Sequence, residues 1–343
     1  MIEIEHLTKR YGEHLAVDDL SFRVDSGQIY GFLGPNGAGK STTMNIMTGC
    51  LSATYGHVRI DGHDIFEEPD KAKKLIGYLP EHPPLYVNET PQEYLQFVGE
   101  AKGLRGTELT QQIAEIVRQT KIESVAHRRI TTLSKGYQQR VGIAQALLGS
   151  PKVIILDEPT VGLDPIQIIE IRDLIKELGQ THTVILSSHI LSEVQAICDR
   201  ILIIAKGKLI AFDTAENLER LLRSSNEINI VTEAASEEVQ EILDTVEHIT
   251  SLDVREMDSG FTSAQIKTAC DDVYELSRAV FSAFAESRAI LLEMAVKKAN
   301  LEDVFIELTE ASAAESEAIG AENAAAETTE TKAEISESEV VDE

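Results

Sequence analysis

The sequence predicts an α/β fold over residues 1–215, in which short apolar strands alternate with amphipathic helices. Four runs of near-continuous apolar residues are typical of strands buried in a parallel sheet: residues 28–33, 153–156, 184–186 and 201–204. Amphipathic segments at residues 109–120 and 166–178 have apolar residues at helical spacing. Near the start, residues 2–7 and 20–24 predict a pair of antiparallel strands.

Size and charge exclude several classes of protein. The chain has 343 residues, 43% of them hydrophobic, and a formal net charge of −27. That balance argues against a broad nucleic-acid surface or a polybasic membrane anchor, since both need many cationic side chains. No apolar run approaches the ~20 residues that span a bilayer, and the first residues lack a signal peptide's apolar stretch. Three cysteines lie far apart without metal-ligand spacing. We therefore expect a cytoplasmic protein without nucleic-acid partners.

The second part of the chain has a different pattern of elements. After about residue 220, strand and helix signals follow in the order βαββαβ, which predicts a small ferredoxin-like α+β module over residues 220–310. A last helix is expected to begin at Asn300, whose side chain is a typical N-cap. Residues 311–343 contain ten acidic residues and one lysine, with almost no large apolar side chains. This tail is expected to be disordered, although its Ala and Glu content would also suit a solvated helix.

The strongest chemical motif is GPNGAGKST at residues 34–42. It matches G-x-x-x-x-G-K-[ST] between a predicted strand and a predicted helix, which is the context of a phosphate-binding loop. Its glycines allow backbone N–H groups to converge on phosphate oxygens. Lys40 is expected to reach the β- and γ-phosphates, and the Ser41 hydroxyl to bind Mg²⁺. A glycine-rich turn that binds nothing is the less favoured alternative. The residues expected to bind nucleotide here are Gly34, Pro35, Asn36, Gly37, Ala38, Gly39, Lys40, Ser41 and Thr42.

A second motif, VIILDEP at residues 153–159, places two carboxylates after a buried strand. Ligands bind at this carboxyl edge in open α/β sheets. Asp157 is expected to hold the metal through water, and Glu158 to orient and deprotonate an attacking water. Alone, an apolar run before Asp-Glu is more often structural. The phosphate-binding loop elsewhere in the chain favours the functional interpretation.

Several further motifs resemble those of the ABC-family ATPases. LSKGYQQR, beginning at Leu133, resembles the family signature LSGGQ and precedes the strand at residues 153–156 as in the family. By the same resemblance, Tyr11 matches the aromatic residue that stacks on adenine. Asp164 matches the aspartate of the D-loop, and His189 matches the switch histidine that contacts the γ-phosphate. These motifs occur in the family's order and spacing over residues 1–215.

The sequence departs from the family pattern at three positions. The signature has Lys135 and Tyr137 in place of Gly and Gln but keeps Ser134 and Gly136. The resemblance implies that these two retained residues contact the γ-phosphate bound on the opposite subunit. Where the family usually has a glutamine, this chain has Glu81. A carboxylate there can still meet the metal's water shell, but its charge puts the usual coupling role in doubt.

The resemblance implies a P-loop NTPase domain (an ABC ATPase) over residues 1–219, with an antiparallel β subdomain and a helical subdomain. It further implies an ATP-binding and ATP-hydrolysing subunit of an ABC transporter, on the cytoplasmic face of the membrane. The expected partners are a second ATPase subunit, as a homodimer, and a polytopic transmembrane permease facing residues 77–102. The expected cofactors are ATP and Mg²⁺. GYLPE, LSKGY and LEDVFIELT resemble the branch of drug, antibiotic and gliding-motility exporters.

Two alternatives remain within the same family. An ABC importer ATPase usually carries small β-barrels after its ATPase domain, whereas residues 220–310 here have a helix-rich pattern. A soluble ABC protein acting on ribosomes or DNA would need two ATPase domains or a long coiled coil. This chain has one phosphate-binding loop, and the interval between Lys40 and Ser134 leaves no room for a coiled coil. The exporter subunit is therefore favoured.

Overall fold

A computed structural model describes residues 1–221, 226–257, 260–268 and 272–297. Within these ranges the chain divides into two compact units, of which the first is Met1–Thr214 and the second begins at Ala215. The second unit begins with the helix Ala215–Leu221. The helix predicted from Asn300 and the predicted acidic tail at residues 311–343 lie outside the described residues.

The first unit contains strands on two sheets and helices between them. The strands are β1 (Ile2–Tyr11), β2 (His14–Val24), β3 (Ile29–Leu33), β4 (Tyr55–Ile60), β5 (His63–Asp64), β6 (Ile76–Leu79), β7 (Val153–Leu156), β8 (Thr183–Ser188), β9 (Arg200–Ala205) and β10 (Lys208–Asp213). The helices are α1 (Lys40–Met47), α2 (Pro69–Lys74), α3 (Pro91–Ala101), α4 (Gly106–Gln119), α5 (Lys135–Leu147), α6 (Pro165–Gly179) and α7 (Leu191–Ile197), with 3₁₀ turns at Glu123–Val125 and Ile130–Thr132.

The larger sheet has the strand order β10-β9-β3-β8-β7-β6. Strand β10 is antiparallel to its neighbour, and the other five strands are parallel. Strands β3, β7 and β8 are buried along their whole length, as their continuous apolar sequences predict. Their carboxyl ends lie at one edge of the sheet, where the phosphate-binding loop, Asp157 and His189 follow them. The predicted α/β fold is confirmed.

The smaller sheet is antiparallel, with the order β2-β1-β4-β5. The predicted pairing near the start is confirmed, since β1 and β2 align from Ile2 opposite Val24 to Tyr11 opposite His14. Alternate residues of β1 and β2 point into a core shared with β3 and α1. Strand β1 ends at Tyr11, which is 49% exposed.

The helical part of the first unit is built on strong helix starts. Thr90 and Glu93 form a capping box at the start of α3, and Pro91 occupies the first helical position. Ser134 caps α5 by accepting a hydrogen bond from the backbone N–H of Tyr137. Helix α5 is buried along most of its length and contacts β6, α3, α4 and α6. The signature residues therefore lie at the exposed start of a rigid, buried helix.

The second unit contains the helices α8 (Ala215–Leu221), α9 (Ser236–Asp244) and α10 (Val273–Glu286) and the strands β11 (Asn226–Thr232), β12 (Ile249–Glu256), β13 (Thr262–Thr268) and β14 (Leu291–Lys297). The strands form one antiparallel sheet in the order β12-β13-β11-β14. Residues from β11, β13, α9 and α10 bury an apolar cluster that includes Ile228, Ile266, Val239 and Phe284.

None of the helices in the described ranges has both the length and the apolar character that a membrane-spanning segment needs.

Candidate functional site

A cavity of about 540 Å³ opens at the carboxyl edge of the larger sheet. Loop residues 36–42 form one wall, and the side chains of Tyr11, Glu81, Glu158 and His189 contribute to the others. His14, Ala16 and Val161, which the sequence analysis did not single out, also line it. The cavity therefore gathers residues from five separate segments that the motif analysis had selected individually.

The phosphate-binding loop has the backbone that its glycines predict. Gly39 has a φ of +104°, and a Cβ there would lie 2.6 Å from the carbonyl oxygen of Ala16. A Cβ on Gly34 would lie 2.2 Å from the carbonyl oxygen of Ile204. Helix α1 begins within this motif, at Lys40, so its first backbone N–H groups have no partner within the helix. This arrangement favours an anion in the cavity.

The Lys40 side chain is buried, with 6% of the residue exposed. Its Nζ donates hydrogen bonds to the carbonyl oxygens of Gly34 at 2.8 Å and Pro35 at 3.3 Å. The same ammonium lies 3.6 Å from Oε1 of Glu158. The carbonyl oxygens of the loop therefore bind the Lys40 ammonium, and Lys40 also lines the cavity.

Asp157 is held by two serine hydroxyls from different segments. Ser41 Oγ donates to Asp157 Oδ1 at 3.1 Å, and Ser187 Oγ donates to the same oxygen at 2.6 Å. Ser187 Oγ also accepts a hydrogen bond from the backbone N–H of Glu158 at 2.8 Å. No motif indicates Ser187, although its position two residues before His189 near the end of β8 is a usable signal.

Glu158 and His189 contact each other directly in the lining of the cavity. The Nδ1 of His189 lies 3.0 Å from Oε2 of Glu158. The Glu158 side chain is 8% exposed and that of His189 is 41% exposed. Glu158 has a φ of +48°, a left-handed conformation that is uncommon for residues other than glycine. A buried carboxylate therefore faces the cavity between a lysine and an accessible imidazole.

The donor atoms around Asp157 suit a hard divalent cation. The Ser41 hydroxyl and the Asp157 carboxylate supply the oxygen ligands that Mg²⁺ prefers. Within the described ranges, no group of three or more His, Cys, Asp or Glu side chains could hold a metal ion by itself. Mg²⁺ would therefore need phosphate and water oxygens as well, which is its usual coordination in nucleotide sites. Glu81 lines the same cavity with a 42% exposed side chain.

Three predicted site residues lie elsewhere. Ser134, Gly136 and Asp164 line a separate cavity of about 280 Å³ at the starts of α5 and α6. Asp164 Oδ1 caps α6 by accepting a hydrogen bond from the backbone N–H of Gln167 at 2.9 Å. A Cβ on Gly136 would lie 2.7 Å from the side chain of Gln167, so only glycine fits without displacing it. Within one chain, these residues do not line the cavity of the phosphate-binding loop.

The remaining predicted residue, Tyr11, lies at the rim of the larger cavity. The Lys9 ammonium lies 5.1 Å from the centre of its ring, a cation–π distance. The half-exposed ring can therefore present a flat surface to a planar ligand.

Comparisons with known proteins agree with this geometry. The family model described as ABC transporter matches residues 17–161. The linearmycin resistance ATP-binding protein LnrL of Bacillus subtilis is 34% identical over 90% of this chain and 98% of its own length. The lantibiotic transport ATP-binding protein SrtF of Streptococcus pyogenes is 39% identical over 65% of this chain and 96% of its length. The bacitracin transport ATP-binding protein BcrA of Bacillus licheniformis is 38% identical, over 67% of this chain and 75% of its length.

Solved structures show the same fold. A dimeric post-hydrolysis structure of the ATP-binding cassette MJ0796, with ADP and Pi, has 27% sequence identity and a TM-score of 0.56. The match covers 62% of this chain and 98% of that one. An ATP-binding subunit of an ABC transporter has 30% identity and a TM-score of 0.59, covering 65% of this chain and 93% of that one. The chain belongs to the ABC transporter family, in which it is an ATP-binding and ATP-hydrolysing subunit.

Proposed function

We propose that the larger cavity binds ATP with Mg²⁺ and that Glu158 is the general base for hydrolysis. The observation that carries this proposal is the meeting of Lys40, Ser41, Glu158 and His189 around one cavity, with Asp157 hydrogen-bonded to Ser41. The first two residues come from the phosphate-binding loop, and the others follow strands β7 and β8. A binding site without hydrolysis would not need a carboxylate held beside the phosphate position.

Each side chain then has a distinct role in hydrolysis. The Lys40 ammonium stabilises negative charge on the β- and γ-phosphates, in a site where burial leaves that charge poorly screened. Glu158 accepts the proton of the attacking water, and the His189 imidazole beside it contacts the γ-phosphate and fixes the carboxylate's position. Asp157 and Ser41 would hold Mg²⁺, which would neutralise phosphate charge when bound. Glu81 would lie near that ion's waters, and the exposed Tyr11 ring would stack on adenine.

We also propose that two identical chains complete each other's sites. Ser134, Gly136 and Asp164 line a cavity separate from the phosphate-binding loop of their own chain. The start of α5 exposes backbone N–H groups and the Ser134 hydroxyl, which are suitable contacts for a γ-phosphate bound on a second chain. ATP is then enclosed between the two subunits, and hydrolysis releases them.

The dimer is proposed to act on a polytopic permease at the cytoplasmic face of the membrane. Residues 77–102 carry exposed aromatic side chains: Tyr86 is 51% exposed and Phe97 is 50% exposed, with ring centres 5.1 Å apart. Apolar surface of this kind is suited to a protein partner. The relatives are named for antibiotic resistance and for bacitracin or lantibiotic transport. We therefore propose export of an antibiotic-class compound, with the compound selected by the permease.

Residues 220–310 are proposed to form a separate accessory module, attached to an ATPase domain of residues 1–219. The antiparallel sheet and the apolar cluster of the second unit support an independent core. None of the residues proposed to act on ATP lies in that unit.

The Glu158→Gln variant tests the base and the dimer together. Glutamine keeps the shape of the site and leaves Asp157 in place but cannot accept the water's proton, a loss of about 10²–10⁴ in rate. ATP binding should persist while turnover stops. With ATP and Mg²⁺, size-exclusion chromatography should show a stable dimer of this variant and monomers of the parent.

The control adds Ser134→Arg to the same chain. A bulky cation at the start of α5 occupies the space that the γ-phosphate needs, so the ATP-held dimer should disappear while ATP still binds. Turnover by Glu158→Gln at the parental rate would rule out the base assignment. A dimer that persists in the double variant would rule out the proposed contact through Ser134.

Reconstitution tests the transport proposal. The chain should co-purify from detergent-solubilised membranes with a polytopic protein. The pair, in vesicles with ATP outside, should carry an antibiotic-class compound into the lumen, the equivalent of export. Accumulation in the opposite direction would identify an importer, and absence of any polytopic protein would favour a soluble ABC ATPase.

A further inference from the structure

Glu193 is a buried carboxylate that the mechanism above does not use. It lies on the first turn of α7, and 3% of the residue is exposed. Its Oε2 accepts hydrogen bonds from Thr160 Oγ1 at 2.5 Å and from Ser188 Oγ at 3.1 Å. Burying a carboxylate is costly, so a position with two convergent hydroxyl donors indicates that this charge has a structural or functional purpose.

The two hydroxyls belong to the segments that carry the proposed reacting groups. Thr160 follows Glu158 by two residues, and Ser188 directly precedes His189. Ser188 Oγ also accepts a hydrogen bond from the backbone N–H of Ile190, which fixes the turn just after His189. One carboxylate oxygen therefore ties the segment after β7 to the end of β8, close in sequence to Glu158 and His189.

A third segment meets the same carboxylate. Arg172 on α6 has Nη2 at 3.8 Å from Glu193 Oε1, a distance longer than a hydrogen bond. The Nε of Arg172 is, among the described residues, the one buried side-chain nitrogen or oxygen without a hydrogen-bond partner. Helix α6 begins at the D-loop aspartate, Asp164. The long ion pair between Arg172 and Glu193 therefore connects this helix to the carboxylate that Thr160 and Ser188 contact.

We infer that Glu193 is a positioning residue for ATP hydrolysis, which fixes Glu158 relative to His189 and links both to the helix that follows the D-loop. This inference rests on the proposed role of Glu158. Glu193 acts through Thr160 and Ser188 and requires no contact with ATP. The expected signature is therefore a loss in kcat with ATP affinity preserved.

The first test compares Glu193→Ala with Glu193→Gln. Both hydroxyls donate to the same oxygen, so the amide oxygen of glutamine can accept both bonds and keep the loops in place. Alanine removes both, and displacement of reacting groups by about 1 Å can cost on the order of 10²-fold in rate. We expect kcat to fall about 10- to 100-fold in Glu193→Ala and to be largely restored in Glu193→Gln. The dissociation constant for ATP, measured without hydrolysis in the absence of divalent cations, should change less than about twofold.

A second pair of changes covers the case in which Glu193→Ala does not fold. Thr160→Val together with Ser188→Ala removes the two donors and leaves the carboxylate in place. The same selective fall in kcat is expected. Asp64→Asn is the matched control, because Asp64 is another buried carboxylate, bonded to His57 and to the backbone N–H of Phe66 in the smaller sheet. It should lower the melting temperature while kcat remains at the parental value.

The results separate this inference from the proposed function. A parental kcat in both Glu193→Ala and the double variant would overturn the positioning role. So would a fall in ATP affinity that matches the fall in kcat, or an equal fall in kcat in Asp64→Asn. If Glu158→Gln alone keeps the parental rate, the base assignment fails, and the role of Glu193 fails with it. If Glu158→Gln is inactive while Glu193→Ala is fully active, only the positioning role fails.

Discussion

The two units of the chain bury different kinds of side chain. In the first unit, buried charged residues include Lys40, Arg140, Asp157, Glu158 and Glu193, all less than 9% exposed. In the described part of the second unit, the buried cluster is apolar, and the one charged residue classed as buried is Glu227, at 9% exposure. Glu227 lies beside Gln265 and Lys267 on the sheet, not in that cluster.

Buried charges mark the candidate reactive site in the first unit, whereas the apolar cluster of the second unit is a structural core. A buried charge lowers stability unless hydrogen bonds or an opposite charge compensate it, so clusters of such charges are frequent at functional sites. In the first unit, four of the six buried charges belong to one connected region around Glu158, and the other two are Asp64 and Arg140. The described residues of the second unit contain no comparable group of buried charges.

The largest expected effect follows from changing a buried charge in the first unit. Lys40→Ala removes the cation that faces the phosphates, and ATP hydrolysis should fall by about 10³-fold or more. The fold should survive, because Lys40 bonds only to its own loop and to Glu158. Steady-state phosphate release measures the rate, and circular dichroism measures the fold.

Lys71→Ala is the control for Lys40→Ala. Lys71 is an exposed lysine on α2, paired with Glu68, and its removal should leave hydrolysis unchanged. Hydrolysis by Lys40→Ala at the parental rate would contradict the assignment of the larger cavity as the ATP site.

Substitutions in the apolar core of the second unit should lower the stability of that unit and leave the rate of ATP hydrolysis unchanged. Phe284 is 1% exposed in the apolar cluster, and Phe284→Ala should lower that unit's free energy of unfolding by about 3–5 kcal/mol. ATP hydrolysis by the first unit should remain near the parental rate at temperatures where that unit stays folded. Denaturant unfolding, followed separately for each unit by hydrogen exchange, gives the two stabilities.

Phe281→Ala, on the same helix, is the matched control for Phe284→Ala. Phe281 is 57% exposed, so its removal should cost far less stability. Loss of hydrolysis in step with unfolding of the second unit would show that the two units are not independent.

Ser187→Ala should have an intermediate effect on hydrolysis. It removes the donor to Asp157 and the acceptor for the backbone N–H of Glu158. Hydrogen bonds to charged groups contribute about 1.5–3 kcal/mol, which corresponds to a fall in kcat of about 10- to 100-fold. The change is read from ATPase kinetics at saturating ATP. Ser192 is an exposed serine on α7, and Ser192→Ala should leave kcat unchanged. An equal fall in kcat in Ser192→Ala would show that Ser187 has no special role.

The smallest basal effect is expected for Glu81→Gln. The Glu81 side chain is 42% exposed, so water screens its charge and basal hydrolysis should change less than about twofold. Stimulation by the permease should change more, because a neutral amide lacks the carboxylate's interaction with the metal's water shell. Glu67→Gln, at an exposed glutamate that does not line the larger cavity, is the control. Unaltered stimulation in reconstituted vesicles would eliminate a coupling role for Glu81.

Motifs that are local in the sequence could be predicted, and contacts between distant segments could not. The loop containing Lys40 and the strand just before Asp157 have recognisable patterns, because each pattern is contained within a few consecutive residues. Ser187 and Glu193 were not found because their partners are 30 and 33 residues away, on other segments. Serine and glutamate have no distinctive periodicity, so only the folded arrangement shows that they converge.

The left-handed backbone at Glu158 places a limit on how this protein can be stabilised. A residue with a side chain in that conformation costs roughly 1–2 kcal/mol relative to an unstrained one, a cost that glycine avoids. Glycine at this position would relieve the backbone strain and delete the carboxylate in the same step. Screens that select variants for heat resistance alone would therefore be expected to recover inactive proteins altered at residue 158. Thermostable variants of this enzyme should be sought with that residue held fixed.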